Sequence, residues 1–167
     1  MRQIAESIGY SATTIYRYYQ NKDDLLFAIV HEGFQRFGQQ LANAVQSSDD
    51  PREQLGALGH AYIKFGLNNP VYYRLMFMQR HDFLFERPGE RDEPMIDSFG
   101  ILREAVEHAM EAGALRQGDP ERTSLAIWSV VHGITSLAIA GAKRFDETQV
   151  HETTKLAMRM IREGLGQ

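Results

Sequence analysis

From Leu26 to Val45 the apolar side chains Leu26, Val30, Phe34, Phe37, Leu41 and Val45 recur at intervals of three and four. That spacing gathers them on one face of an α-helix. The same period returns in the later apolar stretches, and nowhere does the sequence alternate apolar with polar over a strand's length or place Asn-Gly between two such runs. The chain is therefore expected to be all-α. Its third helix, running to about Ser47, would reach roughly 40 Å at 1.5 Å per residue.

Residues that start and stop helices divide the rest. A first helix is expected over Arg2 to Ile8, ended by Gly9, and a second from Ala12 to Tyr18, capped by Ser11. Asn21 is placed to cap the long third helix, with Asp23 and Asp24 at its positive end. Asp50-Pro51 opens a fourth helix to about Leu67, and Asn68-Asn69-Pro70 separates it from a short aromatic helix, Val71 to Gln79. Further helices are expected from Pro94 to Gly113, from Asp119-Pro120 to Gly141, and from Asp146 to Gly164. Arg80 to Glu93 is charged, holds Pro88-Gly89 and reads as a mobile loop.

With 167 residues, 43% hydrophobic and 24% charged, the chain suits a globular protein with a sizeable core. It has no cysteine, which excludes disulfides and thiolate metal sites. No signal peptide is visible. The uncharged run from Thr123 to Ala142 carries His132 and several hydroxyls, so a buried helix is expected rather than a membrane span. A cytoplasmic protein is the expectation. The net charge of -4 excludes a non-specific nucleic-acid coat. Up to Gln40 the signs balance, Arg2, Arg17, Lys22 and Arg36 against Glu6, Asp23, Asp24 and Glu32. Any DNA contact must come from local placement.

Two short helices around Gly9-Tyr10-Ser11 have the form of a helix-turn-helix. A small residue at the turn lets the second helix swing across the first, and Ile4, Ile8, Ile15 and part of Tyr16 are expected to hold the angle. Ala12, Thr13, Thr14 and Arg17 then form a short polar face that fits a major groove. Tyr16, Tyr18 and Tyr19 offer hydroxyls to phosphates, and Lys22 stands at a helix N-terminus. The same residues also suit an ordinary helical hairpin with core aromatics, and geometry alone does not separate the two.

The stretch IAESIGYSATTIYRYYQNKDDLL, residues 4–26, resembles the DNA-binding signature of the TetR family of transcriptional regulators. Ile4-Ala5, Gly9-Tyr10-Ser11, Tyr16, Tyr18-Tyr19 and Lys22 occupy the places that the family's pattern requires. The resemblance implies that Ala12, Thr13, Thr14 and Arg17 face bases while Tyr16, Tyr18 and Lys22 grip phosphates. Tyr19 stands where a phenylalanine is commoner, which implies packing. The family pattern carries one more helix before Ile-Ala, so the three-helix unit is incomplete here. The expectation is an internal methionine taken as a start, or a reset numbering, rather than a true loss. Ile4, Ile8, Ile15, Leu25 and Ile29 would then be short of part of their cover. The stretches NPVYYRLMF and WSVVHGITSL further resemble the subgroup with a Trp-x-x-x-His-Gly ligand domain, at Trp128, His132 and Gly133.

The expected organisation is residues 1–28 for DNA and 29–167 for ligand binding and dimerisation. Phe34, Phe37, Tyr62, Phe65, Tyr72, Tyr73, Met76, Phe77, Phe99 and Trp128 read either as core or as a pocket between helices. Polar tips are available from Tyr62, Tyr72, Tyr73 and His132, and Met76 and Met110 adapt to varied shapes. The expected ligand contacts are Tyr62, Phe65, Tyr73, Met76, Phe99, Trp128 and His132. Ser124 to Gly141 is apolar nearly all round and must bury more than one face. With the last helix it is expected to form a twofold homodimer, which sets two recognition helices about 34–36 Å apart, or a multiple of that, on a palindromic operator.

The resulting expectation is a ligand-responsive DNA-binding regulator, a repressor released from its operator by a small apolar or amphipathic effector, with no cofactor, no metal, no membrane and no catalysis. No nucleophile-base set or phosphate loop is visible. A helical ligand-binding dimer that no longer binds DNA is the alternative, and a small enzyme built on His81, Asp82 or His132 is a third.

Overall fold

The computed structural model describes residues 1–79, 96–141 and 145–166, and these fold into helices throughout. In chain order they are α1 (Arg2–Ser7), α2 (Ala12–Tyr16), α3 (Lys22–Val45), α4 (Pro51–Asn68) and α5 (Pro70–Tyr73), which continues as a π-helical turn over Arg74–Gln79. Then follow α6 (Ser98–Glu111), α7 (Pro120–Ile139) and α8 (Glu147–Leu165). The loop expected over Arg80 to Glu93, Pro94, and His81 and Asp82 lie outside the described residues; the helix expected to run from Pro94 through Ile96 begins only at Ser98, because Asp97 caps it there.

Local chemistry sets the boundaries. Asn21, Asp50, Asp97, Asp119 and Asp146 each accept a backbone N–H from the first turn of α3, α4, α6, α7 and α8. Each such cap is worth about 1 kcal/mol. Pro51, Pro70 and Pro120 occupy first-turn positions, where the missing N–H costs nothing. Gly9, between α1 and α2, has φ of 75°, a backbone that an L side chain adopts only under strain.

Two more expectations change. The second helix stops at Tyr16, and Arg17 and Tyr18 lie in the following turn, where their N–H groups reach back only three residues, to Thr14 and Ile15. The turn must tighten there because Asn21 already opens α3. The aromatic helix begins one residue early, at Pro70, and widens into π winding from Arg74.

The main core joins α3, α4, α5 with its π turn, α6, α7 and α8 through Val30, Phe37, Phe65, Tyr73, Met76 and Val131 among others. A second cluster gathers Val106, Ala109, Met110, Leu115 and Ile127 where α6 turns into α7, with Ile161 and Leu165 packed against it. Arg116 N–H donates to the Leu165 carbonyl (2.8 Å) and fastens the end of α8 there. Among the described residues, no helix is long and apolar enough to cross a membrane.

Candidate DNA interface and ligand cavity

In the N-terminal region Ala5 and Ile15 are the buried residues of α1 and α2, at 1% and 7% exposure. Ile4, Ile8 and Tyr16 do not hold the interhelical angle as expected: they are 37%, 57% and 53% exposed. Ser11 Oγ accepts the Thr14 N–H (3.1 Å) and pairs with Thr14 Oγ1 (2.8 Å), which starts α2. Asn21 Oδ1 accepts the Asp24 N–H and Asp24 Oδ2 accepts the Gln20 N–H, both at 2.9 Å. Asp24 is itself buried, and the two bonds fix the turn between α2 and α3 to the first turn of α3.

The outer side of this unit carries the residues named from sequence. Thr13, Tyr16, Arg17, Tyr18 and Lys22 are exposed, while Ala12 and Thr14 are half-buried. Tyr19 is half-buried too. From Ala12 to Lys22 the sequence has two cations, Arg17 and Lys22, and no acid. The local balance is thus positive on a chain whose net charge is -4.

Further along, α3, α4, the π turn, the start of α6 and α7 surround a cavity of about 750 Å³. Its size falls within the range of small-molecule sites. Phe34, Phe37 and Leu41 of α3 face Leu55, Leu58 and Tyr62 of α4 across it. Leu125, Trp128 and His132 follow at helical spacing along α7, and Phe99 packs edge-on against Trp128 with ring centroids 6.3 Å apart.

At one end four side chains close on one another. Tyr62 Oη lies 3.0 Å from Tyr73 Oη and 2.9 Å from His132 Nδ1. Tyr73 Oη lies 2.7 Å from the same nitrogen, and Trp128 Nε1–H donates to Tyr62 Oη (3.2 Å). His132 Nε2 reaches Ser136 Oγ at 3.3 Å. Burial, reinforced by Tyr73, pushes the Tyr62 phenol far above its ordinary range; burial also raises Tyr73. Both therefore remain neutral donors at ordinary pH.

Of the seven expected contacts, Tyr62, Met76, Phe99, Trp128 and His132 line the cavity. Phe65 and Tyr73 do not. Phe65 is 2% exposed and packs at a tilt behind Phe37, and Tyr73 is wholly buried behind Tyr62 and His132. Tyr72 turns outward, donating to Glu32 (3.1 Å) beneath Arg36, and Met110 belongs to the second cluster. Phe34, Phe37 and Phe77, part of the aromatic cluster in the sequence, line the wall as well. The aliphatic wall and Asp97, Ser98 and Glu121 had no signal of their own, since helical spacing marks a buried face without telling core from cavity.

A helix-turn-helix joined by one continuous helix to an all-helical domain is the architecture of a DNA-binding transcriptional regulator. Residues 1–29 match the family of bacterial regulatory proteins called tetR, and residues 55–163 match the tetracyclin repressor-like C-terminal domain. The chain belongs to the tetR family. No curated protein matches it. A solved structure of a protein of unknown function from Rhodococcus sp. RHA1 is 28% identical, covering 99% of this chain and 84% of that one, with a TM-score of 0.80. The fatty acid degradation regulator FadR from Bacillus halodurans shares the fold at 18% identity over 95% of this chain and 80% of its own (TM-score 0.77). AibR in complex with isovaleryl coenzyme A and operator DNA does so at 21% over 95% and 84% (TM-score 0.67).

Proposed function

We propose that this regulator is a homodimeric repressor that leaves its operator when a small apolar or amphipathic effector enters the cavity. Its DNA-contacting part comprises residues 1–28 and its effector-binding and dimerisation part residues 29–167. Ala12, Thr13, Thr14 and Arg17 face the bases, and Tyr16, Tyr18 and Lys22 hold the phosphates. Tyr62, Met76, Phe99, Trp128 and His132 contact the effector. It works in the cytoplasm and without catalysis.

The observation that carries this reading is α3. Its 24 residues form one helix, about 36 Å long at 1.5 Å per residue. Its first turn is tied through Asp24 to the short turn that follows α2, which ends at Tyr16, and Phe34, Phe37 and Leu41 line the cavity. An effector that fits one position of α3 better than another therefore shifts where the recognition helix sits. The size of the shift is limited by that difference in affinity. AibR, with its acyl-CoA ligand and operator DNA, is a precedent for two such sites on this fold.

The dimer face lies on the outer sides of α7 and α8. Val130 and Leu137 on α7 and Leu156 and Met160 on α8 are exposed, at 37%, 50%, 55% and 63%. A methyl group on Gly133 would meet only open space, so a partner helix has room to approach there.

Fluorescence anisotropy on the duplex upstream of the protein's own gene tests the reading. Binding at physiological salt should exceed that to a scrambled duplex by at least about a thousandfold. Apolar or amphipathic compounds that raise the melting temperature should release the labelled duplex. Equal binding to both duplexes, or thermal stabilisation with no release by any such compound, would reject it.

A further inference from the structure

The charges around the cavity bear on the effector's polar end. We infer that the cavity takes an apolar body with a neutral or cationic head and selects against carboxylates and phosphates. This deepens the effector reading above and rests on the cavity being a ligand site.

The cluster of Tyr62, Tyr73, Trp128 and His132 has its donors already engaged and little to give an anion. With His132 Nδ1 as acceptor, one chain accounts for three of the protons, and the fourth, on His132 Nε2, is directed at Ser136 Oγ (3.3 Å). Trp128 N–H donates to Tyr62 Oη, Tyr62 O–H to Tyr73 Oη, and Tyr73 O–H to His132. A ligand oxygen recruiting one of these donors would break a bond already made, and the exchange gains little. The part of the ligand that lies against this cluster is therefore apolar.

Elsewhere among the described lining residues there is no lysine or arginine, and the charged side chains are Asp97 and Glu121. Both are also exposed to solvent, which puts them where the cavity opens. The positive ends of α6 and α7 oppose them, each equivalent to about half a charge. Two carboxylates against two half-charges leave about one negative charge, since the Asp119 cap of α7 is paired with Arg122 (3.2 Å). An ionised carboxylate entering this space would lose water and find no counter-ion among the described lining residues, a cost that protein sites avoid. An ammonium meets the opposite setting. Besides the two acids, the cavity is lined by the rings of Phe34, Phe37, Phe77, Phe99 and Trp128, and aromatic rings attract cations.

Trp128 is the single tryptophan of the chain and lines the cavity, so its emission reports occupancy. The full chain without DNA is titrated with decyltrimethylammonium, decan-1-ol and decanoate, each below its aggregation concentration. The ammonium should bind at least about tenfold tighter than decanoate, with the alcohol between them. In Asp97→Asn/Glu121→Gln, where asparagine keeps the α6 cap, the gap should shrink to about threefold or less. Glu121→Gln alone, on an exposed side chain, should fall between. Decanoate binding as tightly as the alcohol, or an unchanged order in the double variant, overturns the inference while leaving the effector site standing. The expected order without operator release by any binder overturns the effector reading alone. No change in Trp128 emission with any probe overturns both.

Discussion

Three glycines on α4 turn one substitution into a test of the packing. Gly56, Gly59 and Gly66 lie on the same helix, so replacing any of them by alanine gains the same helix propensity, about 1 kcal/mol. What a new methyl group meets differs. At Gly56 there is nothing within 4 Å. At Gly59 the methyl overlaps Met158 Cε, the free end of a flexible side chain, with Val131 Cγ1 at an ordinary 3.7 Å. At Gly66 it overlaps Thr135 Cγ2 and stands 2.9 Å from Tyr73 Cδ2. Thr135 and Tyr73 are both wholly buried. Neither moves freely, because Thr135 Oγ1 donates to the Val131 carbonyl (2.7 Å) and Tyr73 Oη to His132. Overpacking of that kind costs about 1–3 kcal/mol. Gly56→Ala should therefore stabilise the protein by about 1 kcal/mol, a rise in Tm of about 2–4 °C for a domain this size. Gly66→Ala should fall below Gly56→Ala by the whole overpacking term, about 1–3 kcal/mol. Gly59→Ala should lie between. Differential scanning fluorimetry at one fixed protein concentration, supported by urea midpoints, measures the order. Equal midpoints for Gly56→Ala and Gly66→Ala would show that α4 does not press on Thr135 and Tyr73 as described.

The remaining predictions concern the interfaces and pH. Lys22→Ala should weaken binding equally on all duplexes and flatten the salt slope by about 1, whereas Arg17→Ala should cost about 1–3 kcal/mol on the operator and relax its sequence preference. The reverse pattern in anisotropy would exchange their roles. Tyr16→Phe should weaken DNA binding and leave Tm unchanged, because Tyr16 is 53% exposed; an unchanged affinity counts against the phosphate contact. Tyr62 and Tyr73 ionise near 10.0 when unfolded but are held protonated in the fold. Above that pH the unfolded chain binds fewer protons, so stability is level below about pH 10 and falls above it, by about 1.4 kcal/mol per pH unit for Tyr62, with Tyr73 adding in the same direction. Tyr62→Phe should make that fall shallower in urea titrations at pH 9, 10 and 11, and an identical slope would contradict the burial assigned to Tyr62. Leu137→Arg, at an exposed position of α7, should give a folded monomer in light scattering; an intact dimer would place the interface elsewhere.

The sequence by itself determined what depends on a few neighbouring residues. The Asn21, Asp50, Asp119 and Asp146 caps, the prolines behind two of them, and the positive φ of Gly9 act within one helical turn. Helical spacing then marked which faces are buried, and the signature from Ile4 to Leu26 identified the family. Tertiary structure alone decided which aromatics face space and which face one another. Tyr62 and His132 are 70 positions apart, yet their hydrogen bond puts Tyr73 behind the wall and leaves Tyr62 on it. It also decided that Ala5 and Ile15, rather than Ile4 and Ile8, pack inside the helix-turn-helix, and that Asp97 and Glu121 share a cavity with six aromatic rings. A residue's spacing fixes its side of a helix, but the helix that comes to lie opposite is set by the packing of the whole chain.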